Sequence, residues 1–257
     1  MPTGSTLLRL QALSKSFGGL KAVSDLSFEV QAGTITSLIG GNGAGKTTVF
    51  NLITGNLAPD AGHIYFREVR VDGLPPHQVA RTGIARGFQE LRLFNRLSAR
   101  DNIETAIPGQ RGESILRSLI GGRDLRAERS ATGARSSALL KDLTIDTHST
   151  SLAELLSYGQ QKLLSLGRLL AAEAELLLLD EPTSGLSPGM VEDFCVRMRA
   201  LTADGKTILL IEHNVEIVMR LSDWIVVMHQ GGKIAEGTPE EIRNNVTVMH
   251  TYLGLTS

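Results

Sequence analysis

The chain has 257 residues, 42% of them hydrophobic and 21% charged, enough apolar material to build a sizeable core. Its 26 Lys and Arg stand against 27 Asp and Glu, and a net charge of -1 excludes the global electrostatic footprint of a nucleic-acid binder. A single cysteine, Cys195, excludes an internal disulfide framework and a multi-cysteine zinc site.

The N-terminus, MPTGSTLLRLQAL, lacks the long apolar stretch of a secretion signal. Apolar runs such as Leu176 to Leu179 fall far short of the ~20 residues of a membrane span, so the chain is expected to reach a membrane only through a partner. Near-neutrality conceals one local bias. Between Arg81 and Arg135 lie eleven arginines, no lysine and six acidic residues, an excess of five positive charges. Taken alone, such a run reads as a solvated helical face.

In chain order, the first third alternates like antiparallel strands over Leu7 to Leu13, Asp25 to Val30 and Thr34 to Ile39. The last runs into GGNGAGKTT and then a helical segment, Val49 to Thr54, closed by Gly55. From about Gln89 to Tyr158 the chain turns Arg-, Ser- and Ala-rich with helical spacing, which predicts an inserted helical subdomain. Short continuous apolar runs then return at Leu176 to Leu179, Thr207 to Ile211 and Trp224 to Met228. Such runs mark strands buried on both faces, hence a parallel α/β sheet. Thr238-Pro239-Glu240-Glu241 is one more helix start, with a Thr cap, Pro at the first position and Glu three residues on.

Three segments carry chemistry. Gly40 to Thr47 fits G-x-x-x-x-G-K-[ST], the phosphate-binding loop, and lies between a predicted strand and helix as that motif requires. Glycines let successive N–H groups turn around a β-phosphate, aided by the positive end of the following helix. Lys46 spans the β- and γ-phosphates and the Thr47 hydroxyl ligates Mg²⁺. The nucleotide-binding set expected here is Gly40, Gly41, Asn42, Gly43, Ala44, Gly45, Lys46, Thr47 and Thr48. Leu176 to Leu179 ends in Asp180 and Glu181, at the strand edge where parallel sheets bind ligands. Asp180 is expected to hold Mg²⁺ beside Thr47, and Glu181 to polarise the attacking water. The third segment, Leu156-Ser157-Tyr158-Gly159-Gln160-Gln161, reads locally as a helix capping box at the head of a helix from Gln160 to Ala172.

Because it stands some twenty residues before the acidic strand end, this third segment resembles the LSGGQ signature of the ATP-binding cassette family, here LSYGQ. The resemblance covers essentially the whole chain, as a single cassette domain over 1–257. It implies an α/β P-loop NTPase fold: a mixed-sheet core with an N-terminal antiparallel β subdomain (1–88 and 162–257) and an inserted α-helical subdomain (89–161). It also implies roles for residues that spacing leaves mute. Gln89, in Gly87-Phe88-Gln89, matches the glutamine that approaches Mg²⁺ and water. His213, in Ile211-Glu212-His213-Asn214, matches the histidine that senses the γ-phosphate. Phe17 looks like the aromatic that stacks on adenine. Ser187 stands where the family more usually has Asp, and Gly41 where Pro is common.

In this family the phosphate loop of one subunit and the signature segment of another sandwich ATP. Ser157, Gly159 and Gln160 are thereby expected on the nucleotide of a partner cassette, whether a copy of this chain or a related one. Phe17 to Val23, Phe88 to Phe94, Gly185-Leu186-Ser187-Pro188, Gly237 to Glu241 and Tyr252-Leu253-Gly254 look closest to the ATP-binding subunits of branched-chain (hydrophobic) amino-acid uptake systems. Subunits for urea or amide uptake and lipopolysaccharide export are similar. The implied function is ATP hydrolysis, with ATP and Mg²⁺, energising two transmembrane permeases at the cytoplasmic face of the plasma membrane. A substrate-binding protein outside the membrane takes part indirectly. The alternative of a soluble cassette protein of translation or DNA maintenance lacks its features, a second cassette or a long coiled coil.

Overall fold

A computed structural model describes residues 4–87, 91–109 and 123–251, with the backbone alone at 123–128 and 249–251. The chain opens with β1 (Thr6–Phe17), β2 (Leu20–Gln31) and β3 (Ile35–Gly40), then α1 (Lys46–Ile53), β4 (Ala61–Phe66), β5 (Val69–Arg70), α2 (Pro76–Thr82) and β6 (Ile84–Gly87). Next come α3 (Ala99–Glu104), α4 (Arg123–Asp142) and α5 (Tyr158–Ala171). The last third holds β7 (Leu176–Asp180), α6 (Pro188–Ala203), β8 (Thr207–Ile211), α7 (Val215–Leu221), β9 (Trp224–His229), β10 (Gly232–Gly237), α8 (Pro239–Arg243) and α9 (Val246–Thr251). These elements form two compact units, one of the described residues up to 87 and from 174 onward, the other of 91–173.

The first unit contains two sheets. One is antiparallel, in the order β2-β1-β4-β5; the other has six strands, in the order β10-β9-β3-β8-β7-β6. Within the second, β3, β6, β7, β8 and β9 run parallel and β10 turns back along β9. The buried face of α1, Val49, Phe50, Leu52 and Ile53, joins one core with Leu8, Leu10, Leu26 and Ile64 of the antiparallel sheet and Leu38, Leu209 and Val226 of the other. On the opposite face of the six-stranded sheet, Ile39, Ile225 and Val227 meet Val218 of α7 and Ile242 of α8.

One expected strand changes character. Thr34 to Ile39 alternates in sequence, yet β3 lies parallel between β8 and β9 with all six residues buried. Its Thr36 imitates a solvated face although it is inside, and Ser37, on the other face, is buried too, its Oγ satisfied by Ser222 Oγ at 2.6 Å. The adjacent Leu38 and Ile39 feed opposite cores, the arrangement of a strand covered on both sides.

In the second unit, Ser98 caps α3 by accepting from the Asp101 N–H at 3.1 Å. Buried Asn102 bonds the Phe94 N–H and the carbonyls of Phe94, Leu97 and Ser98, so one side chain organises that turn. α5 passes close to α3 at Gly167, where a Cβ would stand 2.7 Å from Leu143 Cδ1 and 3.1 Å from Ile103 Cδ1. Residues 162–173, assigned from sequence to the core, group in the structure with the helical unit. The apolar stripe of α5 shows that it packs, and says nothing of which neighbour it packs on.

Candidate functional site

The phosphate loop follows β3 directly and ends at Gly45, in left-handed conformation (φ 100°), which caps α1. Only glycine fits at two of its positions. A Cβ would stand 2.3 Å from the Met228 carbonyl oxygen at Gly40 and 2.2 Å from that of Ala22 at Gly45, so neighbouring strands clamp the loop. Gly41 meets nothing within 4 Å. Lys46 opens α1 and is almost wholly buried, its Nζ donating to the carbonyls of Gly40 at 2.7 Å and Gly41 at 3.0 Å. Burial pushes its ammonium below the ordinary 10.5, while Glu181 and Asp180 act to raise it.

Across from the loop, β7 and β8 end side by side, with Asp180 opposite Ile211 in the parallel register. Glu181 and His213 follow these ends, and Glu181 Oε1 lies 2.7 Å from His213 Nε2. Together with Asn42, Gly43, Lys46, Thr47 and Thr48 they line one cleft of about 610 Å³, to which Leu20 to Ala22 of β2 also contribute. Phe17 is half-exposed at the other arm of that hairpin, paired with Leu20, and outside the cleft's lining. Gln89 lies outside the described residues.

Asp180 is 5% exposed, and its Oδ2 accepts from Arg86 Nη2 at 2.9 Å. Arg86 also donates through Nη1 to Asn51 Oδ1 at 2.6 Å and sits over the Phe50 ring. Arg86 therefore departs from the expected solvated face of the Arg-rich run: it is a buried ion pair on the strand before Gln89. Sequence reasoning missed Arg86, Asn51 and Glu212, because cross-strand partners follow from register, which no local pattern specifies.

Of the two expected Mg²⁺ ligands, the Thr47 hydroxyl lines the cleft, whereas the Asp180 carboxylate is outside its lining and bonded to Arg86; both are hard oxygens, the chemistry that suits Mg²⁺. Among the described residues no group of three or more His, Cys, Asp or Glu side chains could hold a metal. The site fits an ion that shares nucleotide phosphate and water ligands, and does not fit a protein-only metal centre.

The second expected ligand surface lies on the helical unit. Ser157 caps α5 with a full capping box: Ser157 Oγ accepts from Gln160 N–H at 3.3 Å and Gln160 Oε1 accepts from Ser157 N–H at 2.9 Å. Ser157 and Gly159 are exposed and buried respectively, and Tyr158 is half-exposed.

A glycine loop clamped at the end of a parallel strand, facing a Glu–His pair on neighbouring strand ends and accompanied by a helical unit with its own capped helix, defines an ATP-binding cassette. Residues 23–184 match the ABC transporter family model, and the chain belongs to this family as the ATP-binding subunit of an ABC transporter. It is 41% identical to the high-affinity branched-chain amino acid transport ATP-binding protein LivG of Salmonella typhimurium over 96% of this chain and 98% of that one. To BraF of Pseudomonas aeruginosa, of the same description, it is 37% identical over the same shares. The crystal structure of a nucleotide-free ATP-binding cassette from an ABC transporter superposes with a TM-score of 0.82 at 32% identity, covering 98% of this chain and 100% of that chain. The ADP conformation of a cassette gives a TM-score of 0.82 at 30% identity with the same coverage.

Proposed function

We propose that this chain hydrolyses ATP to ADP and phosphate and thereby drives import of branched-chain or other hydrophobic amino acids through two transmembrane permease subunits. The observation that carries the hydrolytic reading is the Glu181–His213 pair, 2.7 Å apart, on the same cleft as Lys46 and Thr47. Loop N–H groups and Lys46 bind the β- and γ-phosphates, Phe17 stacks on adenine, and Glu181 accepts the proton of the attacking water. His213 orients Glu181 and reads the γ-phosphate. Thr47 and Asp180 would hold Mg²⁺ with Gln89, and the ion would supply charge neutralisation of the phosphates. Ser157, Gly159 and Gln160 serve the nucleotide of a second cassette. No helix among the described residues is long and apolar enough to cross a membrane; the proposed place of the subunit, docked on its permeases at the cytoplasmic face, follows from its role as their ATP-binding partner. The substrate assignment draws on the names of the two relatives given above, both branched-chain amino acid transport ATP-binding proteins.

Two measurements test this. Glu181→Gln should retain ATP binding and lose turnover by about 10²- to 10⁴-fold, the usual worth of a general base. The chain should also restore uptake of labelled leucine in cells that retain its permeases but lack this subunit. Restored urea or amide uptake without leucine uptake would reassign the substrate, and undiminished turnover in Glu181→Gln would overturn the hydrolytic roles.

A further inference from the structure

The turn after β7 carries Glu181 at φ 49°, a left-handed conformation that a residue with a Cβ holds only where its surroundings enforce it. Glu181 N–H donates to the Ile211 carbonyl at 2.9 Å, and Ser184 N–H donates to the Glu181 carbonyl at 3.2 Å. One residue beyond Ile211 stands Glu212, 3% exposed. Its Oε1 accepts from the Thr183 N–H at 3.0 Å and the Thr183 hydroxyl at 2.5 Å, and its Oε2 accepts from the His213 N–H at 3.3 Å. A carboxylate is acceptor-only, and all three of these partners are donors. Neither Glu212 nor Thr183 lines the nucleotide cleft.

We infer that Glu212 is a positioning residue for hydrolysis: by bonding the turn that carries Glu181 and the backbone of His213, it sets the separation of the Glu181–His213 pair. Within this pair the two side chains come from different strand ends, joined by parallel pairing up to Asp180 and Ile211. Beyond that point the ladder stops, and Glu212 takes over its function with side-chain oxygens. The buried carboxylate thus extends strand registry by one residue, to where the reacting groups stand.

This inference rests on the reading of Glu181 and His213 as the hydrolytic pair, and a double-mutant cycle on the purified full chain separates the two. Turnover and ATP affinity are measured for Glu212→Gln, His213→Ala and the double variant. An amide presents one acceptor where two oxygens served, so at least one buried donor is left unpaired, and turnover should fall by about tenfold at unchanged ATP affinity. Because Glu212 acts by setting the Glu181–His213 separation, which no longer exists once the imidazole is removed, the double variant should be no slower than His213→Ala alone. Should Glu212→Gln fail to fold, Thr183→Val removes only the hydroxyl bond and enters the same cycle, with a smaller fall of the same kind. Losses that multiply, a parallel loss of ATP affinity, or unchanged turnover would each overturn the inference. If His213→Ala and Glu181→Gln leave turnover intact, it is the reading of the pair that fails.

Discussion

Two places in the chain use the same local device to opposite ends. At Ser157 and at Thr238 a hydroxyl caps a helix and the third residue reaches back, with nearly matching lengths: 2.9 and 3.3 Å in the first, 2.7 and 3.3 Å in the second. The difference is charge. The helix after Thr238 carries Glu240 and Glu241 in its first turn, whereas the helix after Ser157 carries no acid there. Carboxylates at a helix N-terminus neutralise its partial positive charge, so the Thr238 box is electrically closed. The Ser157 box closes its hydrogen bonds with neutral Gln160 and leaves the helix charge available to an anion, which under the proposed function is the γ-phosphate held by a partner cassette. Identical caps can therefore be told apart by whether the box residue is Glu or Gln.

The largest expected effect comes from making the first cap resemble the second. Gln160→Glu preserves the reach back to Ser157, so the unfolding midpoint should hold or rise. In the Glu181→Gln background, however, ATP-driven association with the partner cassette should weaken by at least about tenfold, since like charges across an interface cost several kcal/mol. Analytical ultracentrifugation with and without ATP reads both states, and association undiminished by the new carboxylate would show that the helix end does not face phosphate. A smaller, symmetric effect is expected on stability. Ser157→Ala and Thr238→Ala should each cost about 1 kcal/mol in urea unfolding, but only Ser157→Ala should also reduce ATP-driven association. Equal effects on association would erase the distinction.

Much of the fold is legible in the sequence. The phosphate loop, the acidic strand end and both capping boxes are local in sequence, and each is recognised from neighbours within a few positions. The strands Leu176 to Leu179, Thr207 to Ile211 and Trp224 to Met228 stood out because burial on both faces leaves no polar alternation, and the structure places them in the parallel sheet. β3 was harder, as Thr36 and Ser37 are buried hydroxyls, one on each face, where an apolar run would mark a strand covered on both sides. β10 was missed, being an edge strand of mostly intermediate burial with little apolar content. Arg86 and Glu212 were illegible for another reason. Arg86 is a charge amid an Arg-rich run, and its pairing with Asp180 depends on β6 lying beside β7. Glu212 sits next to a recognisable histidine, yet its partner Thr183 is 29 residues away.

The smallest effect separates the two caps by pH. Bonds from the Thr238 N–H and hydroxyl hold the Glu241 carboxyl below its ordinary 4.5, because both donors favour the charged form. The unfolded chain takes up this proton first as pH falls, so the stability that the charged box contributes is complete above about 4.5 and is lost as pH drops through the folded value. Gln160 has no carboxyl to titrate. The gap in urea midpoint between the native chain and Glu241→Gln should therefore be constant from neutral pH down to about 4.5 and shrink below it. The gap between the native chain and Ser157→Ala should not follow that course. Because Glu241 is exposed to solvent, added salt should narrow the first gap at neutral pH. A Glu241→Gln gap that stays constant through the acid range would mean the Thr238 box holds by geometry alone, and that charge is not what distinguishes the two helix starts.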